Sequence, residues 1–258
     1  MSTSEAPPNL DYWRASSRPL ASLLFVAPML VAYELAMVVR GADSLRNGAD
    51  DWLRRWLEGL GFGQFLLLPL LTCLLLLAWH HTTRDRWRVP GAVIPGMLAE
   101  SGAFAVILVL LARAQLSLAE AFLGDDPQRV LALADASAAP SRWEWMLSYL
   151  GAGIYEELLF RMLLLPATFL MLRSAGVTVR ASLAVAVVGT SLLFAAAHYE
   201  WQFSIGTWQV SIAGHPWNSQ TFLFRFWAGA FFSLLFVYRG FGIAVGAHAF
   251  YDMLAIWF

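Results

Sequence analysis

Glu156, Glu157 and Arg161 stand together in a stretch that is otherwise apolar, Gly153-Ile154-Tyr155-Glu156-Glu157-Leu158-Leu159-Phe160-Arg161-Met162-Leu163-Leu164-Leu165. Two later apolar stretches add His198, His248 and Asp252. An ionised side chain at mid-bilayer costs roughly 2.5–3.5 kcal/mol on insertion scales, so a membrane chain that keeps several of them has a use for them. Carboxylates and imidazoles are the groups of general acid–base chemistry, in which a side chain takes a proton from one reacting atom and returns it to another.

Spacing sorts these residues. Neighbours on a helix point about 100° apart, whereas residues four apart share a face. Glu157 and Arg161 are therefore partners, with the glutamate on the favourable N-terminal side. Glu156 points elsewhere and is left available as a base. Phe194 and His198 lie one turn apart, with Ala195, Ala196 and Ala197 between them leaving room for a close helix. His248 and Asp252 also share a face, and Gly242 and Gly246 precede them at the spacing that lets two membrane helices approach closely. Three separate helices can thus turn polar faces toward one interior point. Taken singly, an intramembrane histidine is most often an interhelical hydrogen-bonding residue, and a Glu–Arg pair a fold-specifying bridge. Glu34, Glu100 and Arg225 are assigned to such structural or interfacial roles, and His80, His81 and His215 to interfacial positions.

The elements that must position this group are membrane helices. The 258 residues are 59% hydrophobic and only 14% charged, with mean hydropathy +0.60, where a soluble domain carries about 25% charged residues. A net charge of −1 offers no basic surface for nucleic acid. All 17 basic residues are arginine, and the one cysteine, Cys73, excludes a disulfide framework. The expected fold is an all-α polytopic membrane protein. About seven transmembrane helices are placed near residues 20–39, 65–79, 90–111, 145–172, 181–198, 221–238 and 241–258, the second short and the fourth long against the ~20-residue spanning length.

Between the first two spans, Trp52, Leu53, Trp56, Leu57 and Leu60 share one helical face with charges opposite, the pattern of an interfacial amphipathic helix. Residues 114–142 are expected to be a long loop with room for short helices, and 199–220 a loop rich in Trp, Gly and Pro, suited to a headgroup-level anchor or, alternatively, to dipping into the interface or capping a cavity. Residues 1–19 read as a disordered polar lead, 20–144 as N-terminal membrane helices and 145–258 as a catalytic core. Arginine placement favours a cytoplasmic N-terminus, although Arg40, Arg46, Arg54 and Arg55 argue the other way.

In order along the chain, Glu156-Glu157-(x)3-Arg161, Phe194-(x)3-His198 and His248-(x)3-Asp252 resemble the three motifs of the CPBP family, the CAAX-protease and bacteriocin-processing intramembrane endopeptidases. The resemblance covers roughly residues 145–258. It implies a helical intramembrane protease acting on membrane-associated peptides or proteins, in a bilayer expected to be a bacterial inner (cell) membrane. It also implies catalytic roles for Glu156, His198, His248 and Asp252. Glu156 and His198 would activate a water, and His248 and Asp252 would polarise the scissile carbonyl or steady its oxyanion. Glu157 and Arg161 would support the helix. No metal is expected; were zinc required, Glu156, His198 and His248 would be its ligands. A proton-coupled transporter is the alternative from another class, as is a non-catalytic immunity or binding protein. Neither inverted-repeat halves nor paired helix breaks support the transporter.

Overall fold

A computed structural model describes residues 8–40, 46–63, 65–123, 142–205, 208–212 and 214–256. Its elements are helices α1 (Pro8–Ser16), α2 (Pro19–Arg40), α3 (Gly48–Gly59), α4 (Leu67–Thr83), α5 (Val93–Leu123) and α6 (Arg142–Glu157), followed by a π-helical turn (Leu158–Leu164). Then come α7 (Leu165–Ser174), α8 (Val179–Ala196), strands β1 (Trp201–Ile205) and β2 (Trp208–Ile212), α9 (Ser219–Arg239) and α10 (Phe241–Ala255). The polarity is inside-out relative to a soluble protein. Leu24, Val31, Leu35, Leu110, Leu193 and Leu234 are exposed, while Glu156, Glu157, Arg161, Arg239 and His248 are buried. That is the arrangement lipid demands.

The helical membrane architecture agrees with the sequence reading, and the count of seven spans is not confirmed. Among the described residues four helices are long and apolar enough to cross: Pro19–Val39, Val93–Ala119, Val179–Ala196 and Ser219–Arg239. The apolar helices α4 and α10 have 17 and 15 residues. At 1.5 Å per residue they reach only about 25 Å and 22 Å, short of a ~30 Å hydrocarbon core. The expected span at 145–172 is a composite run, α6, the π turn and α7.

Three expectations about connections are corrected. Residues 8–16, expected in a disordered lead, form α1, because tertiary contacts outweigh their polar composition. Arg239 donates to the Trp13 carbonyl at 3.1 Å and to Ser16 Oγ at 2.8 Å, and Tyr12 donates to Glu100 at 2.6 Å. The segment expected to be a loop from residue 114 continues α5 through Leu123, since Ala, Leu and Gln there sustain the helix. Asp125, Asp126 and Pro127 lie outside the described residues. The 199–220 connection carries an antiparallel hairpin, with Trp201 opposite Ile212 and Ile205 opposite Trp208, closed at its base by a Tyr199–His215 bridge. Trp and Ile in alternation with polar residues suit a pleated pair.

Helix α10 is the hub, buried from Phe241 to Ala249 and packed on α2, α5, α6 and α9. Close approach is what its glycines permit. A Cβ on Gly246 would collide with Ser101 and Phe25, and one on Gly153 of α6 would sit 2.7 Å from the Ala249 Cβ and 3.0 Å from the Val245 carbonyl. Glu156 is thereby brought one helical turn from the α10 contact. After Glu157 the helix widens because Pro166 has no N–H to give Met162, and its ring crowds that carbonyl. Leu165 donates instead to Phe160, five residues back. The wide turn, a feature common at functional sites, keeps Leu158, Phe160 and Arg161 all inside.

Candidate active site

Helices α6 and α10 and the turn that ends α8 bring the four predicted catalytic residues together. Glu156 Oε2 stands 3.7 Å from His198 Nε2 and 3.8 Å from His248 Nε2, and His248 Nε2 stands 3.5 Å from Asp252 Oδ2. Glu156 Oε2 has no direct hydrogen-bond partner, and both imidazole distances exceed a hydrogen bond.

The proton positions follow from what the other nitrogens touch. His198 Nδ1 lies 2.8 Å from the Phe194 carbonyl, which can only accept, so Nδ1 carries the proton and Nε2 of the neutral ring is a lone pair. His248 Nδ1 lies 2.7 Å from Glu157 Oε1 and donates to that carboxylate. Both rings therefore turn Nε2 toward the same carboxylate oxygen. Aromatic walls fix them. Phe194 meets His198 edge-on at 4.9 Å, and Phe232 stacks on His248 at 4.5 Å and 13°.

Glu157 and Arg161 pair at 3.0 Å, an approach whose angle falls short of a hydrogen bond. Arg161 also donates to the Gly229 carbonyl at 3.1 Å and lies 4.4 Å over the Phe194 ring. Glu157 does more than the sequence reading gave it, since it also holds His248.

Two residues were missed. Asn47 accepts from the Ala49 amide at 2.8 Å, capping α3, and donates from Nδ2 to Glu156 Oε1 at 2.9 Å. An Asn-Gly pair ahead of an amphipathic run announces a cap, but not a partner 109 residues on. Arg225, set aside as structural or interfacial, acts electrostatically on His198 and Asp252. Glu34 and Glu100 do fall in structural clusters. Arg54 donates to Glu34 at 2.8 Å and to Asp50 at 2.5 Å, while Tyr155 donates to Glu34 and Tyr33 to Asp50 at 2.8 Å. Burial works against the charge on Arg54, but Asp50 and Glu34 hold its pKa above the ordinary arginine value. Asp50 and Arg54 of α3 thus face the protein, where these partners wait, while Asp51 and Arg55 pair on its exposed side.

Residues 138–254 match the family model described as type II CAAX prenyl endopeptidase Rce1-like. The matched segment belongs to the Rce1-like CAAX endopeptidases. All four clustered side chains fall inside it. The family is one of proteases, and the chain is a membrane-embedded peptide-bond hydrolase of that class. Lipid and peptide are accordingly its general partners. No curated protein and no solved structure matches the chain. A metal in such a CAAX endopeptidase site would meet Glu156, His198 and His248 first, on the oxygen and nitrogens that converge. Among the described residues no group of three or more His, Cys, Asp or Glu side chains is arranged to hold a metal ion.

Proposed function

We propose that the chain cleaves membrane-associated peptides or proteins with a water activated by Glu156 and His198, without a metal. One observation carries the reading: Glu156 Oε2 faces the Nε2 lone pair of His198, whose ring is locked by its Nδ1 proton, with His248 Nε2 on its other side. Acceptors that face one another need a donor between them. A water supplies it, giving one hydrogen to Glu156 Oε2 and the other to His198 Nε2, and its oxygen lone pair is left for the scissile carbonyl. Attack forms the carbon–oxygen bond as Glu156 takes the proton. His248, between the Glu157 and Asp252 carboxylates, can hold protons on both nitrogens and donate from Nε2 to the oxyanion. Asp252 then serves to orient and balance His248. Collapse breaks the carbon–nitrogen bond, and the proton on Glu156 passes to the leaving amine, releasing a new carboxyl end and a free amine.

In this reading the catalytic core is the 145–258 part, with 20–144 as supporting helices. The proposed location is a bacterial inner membrane. The test compares purified protein with Glu156→Gln on membrane substrates, seeking termini produced only by the former. Loss of turnover on the order of 10²–10⁴-fold is expected, with melting unchanged. Cleavage retained by Glu156→Gln sinks the mechanism.

A further inference from the structure

The ionic residues of α3 fall into two sets. Asp50 and Arg54 face inward, and each side-chain nitrogen of Arg54 has its acceptor, in Asp50, Glu34 and the Phe65 carbonyl. Asp51 and Arg55 pair with each other instead, and their side chains are 46% and 73% exposed. An ion pair this open to water contributes little and costs little to break.

Asp51 and Arg55 line a cavity of about 270 Å³, with Glu58 beside them. The three follow one another at four and three residues, along one side of the helix. Phe62 and Phe65, both exposed, and Leu68 close the cavity from the segment that enters α4. Beyond that segment Leu70 and Leu74 of α4 are exposed, as are Trp52 and Trp56 of α3. A polar cavity is thus set among apolar side chains of the kind that lipid covers, where tryptophan marks the headgroup level.

The charges at the wall select the ligand. Arg46 and Arg54 are answered by Asp50 and Glu34. Among the described residues that leaves Arg55 against Asp51 and Glu58, a balance that disfavours a bare anion and suits a ligand carrying both signs. Phe65 has the Arg46 and Arg54 guanidinium groups over its ring, at 4.8 and 5.0 Å. That ring already serves two cations, so recognition of a third falls to the carboxylates, which favour a cation with N–H donors over a quaternary ammonium.

We infer that the cavity binds the headgroup of a phosphatidylethanolamine. The Asp51–Arg55 pair opens, the Arg55 guanidinium takes the phosphodiester through charge-assisted hydrogen bonds, and the primary ammonium lies between Asp51 and Glu58. The acyl chains join the lipid around α4. The site shares no residue with the cluster around Glu156 and does not depend on cleavage.

The full chain, purified in one detergent, is titrated with phosphatidylethanolamine, phosphatidylcholine and phosphatidylglycerol of the same acyl chains, and bound lipid is counted by native mass spectrometry. Phosphatidylethanolamine should bind about 10- to 100-fold more tightly than the other two, and inorganic phosphate should not displace it. Arg55→Gln should weaken that binding about tenfold or more, and Arg55→Lys should restore part of it. Asp51→Asn with Glu58→Gln should bring phosphatidylethanolamine down to the level of phosphatidylcholine without weakening phosphatidylglycerol. These side chains are open to water, so melting should stay at the wild-type value. Equal binding of the three lipids overturns the inference, as does a preference that the Asp51 and Glu58 changes leave intact. Displacement by inorganic phosphate makes the cavity a phosphate site, and tighter phosphatidylglycerol makes it an anionic-lipid site; either result overturns the inference too. The headgroup order on the wild-type chain decides by itself, whatever a variant does to folding. Turnover is not the readout, so a failure here leaves proteolysis to the Glu156→Gln test.

Discussion

Arg161→Ala is the perturbation that separates support from chemistry. Arg161 is 1% exposed and Glu157 is fully buried, so removing the guanidinium strands a carboxylate in a dry interior. Breaking a buried pair on one side costs roughly 3–5 kcal/mol. At about 2–4 °C per kcal/mol for a chain of this size, the midpoint should fall by about 6–20 °C. The loss also includes the contact over Phe194 and the bond to Gly229, which do not add independently. Activity should fall in parallel, since Glu157 is the acceptor that fixes His248. Arg161→Lys keeps the charge without the planar fork and should lie between wild type and alanine. Adding Glu157→Gln to Arg161→Ala removes the stranded charge and should recover part of the stability, a coupling of about 0.5–3 kcal/mol. The assay is thermal unfolding in one detergent, with cleavage measured on the same preparations. An Arg161→Ala protein that melts like wild type refutes the reasoning. If that protein is also inactive, Arg161 belongs to the chemistry instead.

Asn47→Asp should keep the α3 cap, because aspartate caps as well as asparagine, while losing the donation to Glu156. Cleavage should drop on the order of tenfold to a hundredfold with little change in melting, and wild-type turnover would show that Glu156 does not depend on Asn47. His198→Ala should match Glu156→Gln in its loss of turnover, on the order of 10²–10⁴-fold, and cleavage within tenfold of wild type counts against a shared water. Prolonged chelation of untagged protein should leave cleavage intact. Near-stoichiometric zinc whose removal abolishes cleavage, and whose return restores it, overturns the metal-free mechanism.

The site was legible where it is local and periodic. Glu156 and Glu157 diverge and Arg161 returns to Glu157 because a helix fixes those angles, and the same geometry pairs Phe194 with His198 and His248 with Asp252. What escaped is non-local. Asn47 reaches Glu156, and Arg225 reaches Tyr199, only because helices remote in sequence are packed together. Helix α1 escaped for a similar reason, its order coming from Arg239 and Glu100 far along the chain. The hairpin at 201–212 escaped because its tryptophans and glycines read equally well as a headgroup anchor. The expected span at 241–258 was longer than α10, which ends at Ala255, whereas α4 runs past the expected 79 to Thr83.

Helix α3 turns Trp52 and Trp56 outward, 48% and 60% exposed, while the cap that starts it holds Glu156. In the proposed mechanism the carboxylate that takes the proton from water is therefore tied, through Asn47, to a helix whose tryptophans face outward, as well as to the bundle. A micelle that draws this short helix off its resting depth can pull Asn47 away and leave every long helix packed. Such a preparation melts normally and yet stands idle. Choosing a reconstitution system by lipid composition and bilayer thickness, with turnover as the readout, will therefore find working enzyme that a ranking by thermal stability passes over.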